Sequence, residues 1–201
     1  MQLHNLFPTP IGFFDLGREL TDVERKYVDK QETRRNMGNL SSKDNYIVEN
    51  KPLANLKKFF NESVAEYFAA TTNPKNPVKL RITQSWLNYT KQGEYHHKHA
   101  HPNSVVSGVF YIQSDDTSDR IYFYNDKYQQ IKFETKDFNP YNSESWWFEA
   151  IKGRLLLFPS SLTHMVETRA SENDVRVSLA FNTFPVGHLG VNVDLTELVL
   201  K

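Results

Sequence analysis

The chain has 201 residues, a length that suits one domain, and its 24 Lys and Arg balance 24 Asp and Glu, so its formal net charge is zero. Such a balance gives no overall basic field to draw the protein to nucleic acid or anionic lipid. Cysteine is absent, which removes disulfides, thiolate metal sites and cysteine nucleophiles, and leaves only nitrogen and oxygen to hold a metal.

Hydrophobic residues make up 39%, and 14 Phe, 10 Tyr and 3 Trp supply the area that a single core needs. In chain order, the opening "LFPTPIGFFDL" is apolar and broken by proline, as an edge strand is. The N-terminus lacks the basic flank, apolar stretch and cleavage site of a leader, and no apolar run nears the ~18 residues of a membrane span. A cytoplasmic protein is expected. Thr21 and Glu24 form a capping box and predict a charged helix from Thr21 to Asn36. A second helix is predicted over Pro52–Ala70, where Leu53, Leu56, Phe59, Phe60, Val64, Tyr67 and Phe68 recur at three- and four-residue steps. "TTNPKNP" stops it.

From Val78 the texture changes to short strands, predicted at Val78–Tyr89, Ser104–Gln113, Arg120–Asn125, Gln129–Glu134, Trp146–Ala150, Arg154–Phe158, His164–Thr168 and Val175–Phe184. About eight strands without intervening helices predict a mainly β fold, a jelly roll or barrel. Residues 1–77 would place helices outside a core formed by 78–201, all in a single domain.

The stretch "HHKHAHPNSVVSGVFYIQ", from His96 to Gln113, holds four of the seven histidines within six residues. In extended chain His97, His99 and His101 share one face and His96 points opposite. A His-x-His pair at a strand end can chelate a divalent ion if a third ligand arrives from elsewhere. His164, in "GRLLLFPSSLTHMVE", is the candidate, although a turn histidine satisfied by its neighbours reads equally well from that block alone. Downstream, "NDVRVSLAFNTF" alternates, with Val175, Val177, Leu179 and Phe181 on one face and Arg176, Ser178, Ala180 and Asn182 on the other. The second face suits a polar cavity or an ordinary half-exposed strand. Arginine there offers a fixed fork that can grip a carboxylate.

Gly93, five residues, then His99-x-His101 resembles the first cupin signature, and Gly153, five residues, Pro159, then His164 resembles the second. Val105 and Val106 stand where the cupin glutamate would be, and Ser161 and Thr168 replace the glycine and asparagine of the second signature. The blocks "LFPTPIGFFDL", "SWLNY", "HAHPNSVVSGVFYI", "IYFYND", "GRLLLFPSSLTHMV" and "RVSLAFNTF" together resemble a 2-oxoglutarate/Fe(II) oxygenase family of phages and marine bacteria, within the double-stranded β-helix superfamily. The resemblance covers nearly everything except Thr21–Ser42.

It implies a jelly-roll core using Fe(II), 2-oxoglutarate and dioxygen. By that resemblance His99, His101 and His164 would bind the metal and form the catalytic centre, and Arg176 and Ser178 would hold the cosubstrate's distal carboxylate. Tyr111 and Asn88 would assist, although each reads also as a packing residue. The superfamily's usual triad has a carboxylate where this chain has His101, and Asp115, Asp116 and Asp119 follow too late for the motif. A shifted register, His97-x-His99, is the alternative. The implied reaction hydroxylates a small-molecule or peptidyl substrate with release of succinate and carbon dioxide. The rivals are a cupin-like three-histidine metalloenzyme without 2-oxoglutarate, and an inert binding module. "ESWWFE" would cover the substrate entrance or pack in the core.

Overall fold

The computed structural model describes residues 1–125, 131–172 and 174–201. The strands are β1 (Gly12–Asp15), β2 (Thr33–Arg35), β3 (Leu40–Ser42), β4 (Val78–Thr90), β5 (His96–His99), β6 (Val106–Gln113), β7 (Arg120–Tyr124), β8 (Ser145–Glu149), β9 (Arg154–Pro159), β10 (His164–Val166), β11 (Arg176–Leu189) and β12 (Leu198–Leu200). The helices are α1 (Asp22–Asp29) and α2 (Ala54–Thr71), with short 3-10 turns at Ile47–Glu49, Lys51–Leu53 and Asn192–Asp194. The larger sheet runs β1-β9-β6-β11-β4-β3-β2, with β12 also on β11, and the smaller runs β5-β10-β7-β8. Every named strand pair is antiparallel. This is the two-sheet jelly roll, a double-stranded β-helix.

Strand alternation sends successive side chains to opposite sides of the larger sheet. Outward go Leu87, Phe110, Ile112, Leu155, Leu157, Val177, Leu179 and Phe181, in one apolar cluster with Leu56, Phe60, Val64 and Tyr67 of α2. Phe60 is fully buried, its ring 5.1 Å from Phe181 and 5.4 Å from Phe110. Gly108 lies opposite Phe181, and a Cβ there would meet that ring at 2.3 Å, so the missing side chain is what admits the phenylalanine. Inward, between the sheets, Val109, Tyr111, Ile121, Phe123, Leu156 and Phe158 form a second, smaller cluster. The Tyr67 hydroxyl donates to the Pro10 carbonyl at 2.9 Å and that of Tyr89 to Val28 at 2.6 Å, which ties the N-terminal elements to this frame.

Three expectations are corrected. The helix predicted to Asn36 ends at Asp29; its capping box forms, but the chain then turns into the β2–β3 hairpin, which extends the larger sheet beyond β4. Hairpin ladder bonds and pairing to β4 outweigh the helix preference that Lys30, Gln31, Glu32, Arg34 and Arg35 carry. The strand predicted at Gln129–Glu134 begins outside the described residues, and 131–134 form no strand. Finally, His96 does not point away from its neighbours. The pairing of β10 with β5 shifts register between His99 and His96, and such a bulge brings the His96 ring within 4.8 Å of the His99 ring.

Candidate metal centre

Two adjacent strands of the smaller sheet bring the imidazoles together, because His99 of β5 pairs directly with His164 of β10. The His101 peptide donates to the Ser160 carbonyl at 2.9 Å, and the Ser160 peptide to Val105 at 3.0 Å. The Ser160 hydroxyl lies 2.7 Å from that of Ser104 and 2.8 Å from that of Ser107. These bonds pin the loop after β5 to the turn before β10. One ligand atom each from His99, His101 and His164 can lie within 4.8 Å of one another. His96, His97 and His99 form a second such group that shares His99, whereas His97, the shifted register's ligand, is not grouped with His164.

The ring hydrogen bonds select a tautomer. Nδ1 of His99 lies 2.7 Å from the His97 carbonyl, and Nδ1 of His164 lies 2.9 Å from that of Leu162. A carbonyl only accepts, so each Nδ1 carries the proton and each Nε2 keeps its lone pair. That is the arrangement by which an outer hydrogen bond orients a metal-binding imidazole. Burial, then repulsion from His164, His99 and His97, lowers His101 to about 3. Burial likewise brings His164 down to about 4 against the opposing hydrogen bond to Leu162, and it lowers His99. At neutral pH these are uncharged bases, the form that binds a cation.

Across the larger sheet, Asn88 of β4, Ser178 of β11 and Tyr111 of β6 stand directly opposite one another and face inward. All three are buried, as is Arg176 one inward position away. Arg176 is already half engaged: its Nη1 donates to Asp119 Oδ1 at 2.7 Å, and Arg169 holds the other oxygen of the same carboxylate. Its Nη2, the Tyr111 hydroxyl and Asn88 Oδ1 have no hydrogen-bond partner among the described residues. Buried polar atoms without partners are costly, so three on one inward face mark a place for a polar guest. Burial raises Tyr111 above the ordinary phenol range, so it stays a neutral donor.

Asp119 and Arg169 are the site residues that sequence reasoning passed over. They lie 57 and 7 residues from Arg176 in the chain, and only the turn after β6 brings the carboxylate back. "ESWWFE" forms edge strand β8, with Trp146 and Trp147 each 39% exposed and Phe148 packed on the inner cluster. It does not line the cavity over the histidines. That cavity, about 960 Å³, is lined by His96, His97, His99 and His101 with residues of β2, β3, β4 and β11.

No curated protein matches the chain significantly. Among solved structures it is similar to a 2OG-Fe(II) oxygenase family oxidoreductase from Burkholderia pseudomallei, with 11% identity, 81% of this chain and 77% of that one covered, and a TM-score of 0.56. It is similar to HygX from Streptomyces hygroscopicus, crystallised with nickel and 2-oxoglutarate, with 12% identity, 88% and 83% covered, and a TM-score of 0.60. It is also similar to SnoK, a non-heme alpha ketoglutarate dependent carbocyclase from nogalamycin biosynthesis, with 10% identity, 87% and 79% covered, and a TM-score of 0.61. At these identities the likeness is one of fold. No helix among the described residues is long and apolar enough to cross a membrane. Residues 84–182, which carry Asn88, His99, His101, Tyr111, His164, Arg176 and Ser178, match the family model described as "Putative 2OG-Fe(II) oxygenase", and the chain around them has the fold of solved 2OG-Fe(II) oxygenases.

Proposed function

We propose that the protein is a 2-oxoglutarate- and Fe(II)-dependent dioxygenase that hydroxylates its substrate. Dioxygen, 2-oxoglutarate and a C–H bond would become carbon dioxide, succinate and an alcohol, one oxygen atom entering succinate and the other the product. The observation that supports this reading is a pairing of two features. Three uncharged imidazoles converge, and the inward face of the larger sheet carries unpartnered Arg176 Nη2 and Tyr111 hydroxyl donors.

The donor set fits both groups. His99, His101 and His164 would hold ferrous ion through nitrogen, and three neutral ligands leave the ion its full charge, which favours a dianionic chelate. Bound there, iron and the keto acid supply the oxygen-activating chemistry. Arg176 Nη2 and the Tyr111 hydroxyl would donate to the distal carboxylate. The Ser178 hydroxyl lies between Tyr111 and Asn88, where it can add a third bond. Asp119 fixes the arginine by holding Nη1, and burial keeps water from competing.

The cupin-like reading draws on the third imidazole and on the part of Arg176 already given to Asp119. Calorimetry on Arg176→Met separates the two. Losing a buried charge partner costs ~3–5 kcal/mol, so 2-oxoglutarate should bind the metal-loaded variant more than about a hundredfold more weakly, with metal affinity unchanged. Equal 2-oxoglutarate affinity in variant and parent would select the cupin-like reading.

A further inference from the structure

The cavity in front of the histidines has a charge that the whole chain lacks. Among the described residues Arg34, Arg35 and Arg81 line it, and no Asp or Glu does. Strand register explains two of them. Arg34 pairs with Ser41, which pairs with Asn88, so the hairpin carries Arg34 in the transverse row that holds Asn88 and Ser178. Arg81 pairs with Phe184, an even number of positions along β11 from Ser178 and Asn182, on the same inward side. Arg35 is partly answered by Glu94 at 3.3 Å. Among the described residues Arg34 donates to the neutral Asn45 amide at 3.0 Å, and no carboxylate pairs with Arg34 or Arg81. Aromatic rings line the same cavity: Tyr46 is 55% exposed, Phe184 36%, and Trp86 lies 5.7 Å from the His101 ring.

Resting on the oxygenase reading, we propose that the primary substrate is a phosphate ester with a planar ring, a nucleotide or the nucleotide unit of a single strand. Arginine forks match phosphate oxygens bidentately, and exposed rings beside them offer stacking surfaces. A cavity of about 960 Å³ leaves room for such a body in front of the metal ligands.

Calorimetric titrations of the metal-loaded protein test this with adenosine 5′-monophosphate, adenosine, benzoate and oligothymidylate. The monophosphate should bind with an affinity that falls as salt rises, and adenosine and benzoate should bind at least tenfold more weakly. Arg34→Gln combined with Arg81→Gln should weaken the monophosphate at least tenfold and leave 2-oxoglutarate affinity unchanged. No binding of either phosphate probe, equal binding of adenosine or benzoate, or a double variant that binds like the parent overturns the proposal. Oligothymidylate binding tighter than the mononucleotide assigns the phosphate to a polymer, and weaker binding assigns it to the free nucleotide. Phosphate binding without 2-oxoglutarate binding defeats the oxygenase reading alone, and the converse defeats this one alone.

Discussion

The two faces of β11 do different jobs within one strand. Its outward residues Val177, Leu179 and Phe181 are buried in the apolar cluster with α2. Its inward residues Arg176 and Ser178 are buried too, yet on that side Arg176 Nη2, with the neighbouring Tyr111 hydroxyl and Asn88 Oδ1, lacks a partner among the described residues. Equal burial with opposite satisfaction separates what holds the fold from what the fold is held for. Apolar burial lowers the free energy of folding, whereas an unpartnered buried donor raises it unless a ligand answers it.

Substitutions on the outward side should therefore change stability alone. Phe60→Ala empties a space among Phe59, Phe110 and Phe181, and a buried Phe→Ala change costs ~3–5 kcal/mol. Urea unfolding should show that loss, while 2-oxoglutarate affinity at low temperature stays at the parent value. A matching fall in affinity would break the separation.

Acid should act on the inward side. His101 at about 3 and His164 at about 4 lie below the ~6.5 of an unfolded imidazole. As pH falls through 6.5 the unfolded chain takes up these protons first, so native stability is full above 6.5 and is lost down toward pH 4 for His164 and pH 3 for His101. Each group contributes ~1.4 kcal/mol per pH unit, on the order of 4 kcal/mol for the pair between pH 6.5 and 5. Metal-free protein unfolded in urea at both pH values should lose at least this much, because burial lowers His96 and His99 as well, and His101→Asn should lessen the loss by about 2 kcal/mol. Equal stability at pH 6.5 and 5 would mean that the imidazoles are not held neutral by burial.

Local periodicity made parts of this division readable in advance. The stripe on α2 and the alternation of "RVSLAFNTF" both report which side a residue takes, and both sides are as expected. The histidine cluster was legible as density and spacing, but the bulge in β5 was not, since nothing in "HHKH" marks an extra residue. The role of Asp119 was hidden for a different reason. A carboxylate read as arriving too late for a ligand motif is instead the partner of two arginines 50 and 57 residues away. The β2–β3 hairpin escaped because three-residue strands are too short to show a period, and with it went Arg34.

The central claim is that the histidine centre takes a metal and the inward face of the larger sheet takes the keto acid bound to it, and the spectrum of the anaerobic Fe(II) protein with 2-oxoglutarate tests it most directly. A keto acid bound to ferrous iron through two oxygens gives a weak visible charge-transfer band. The band should appear in the parent protein, vanish in His164→Ala, and require far more 2-oxoglutarate in Arg176→Met. No band in the parent at saturating 2-oxoglutarate, or an undiminished band in His164→Ala, would contradict the account.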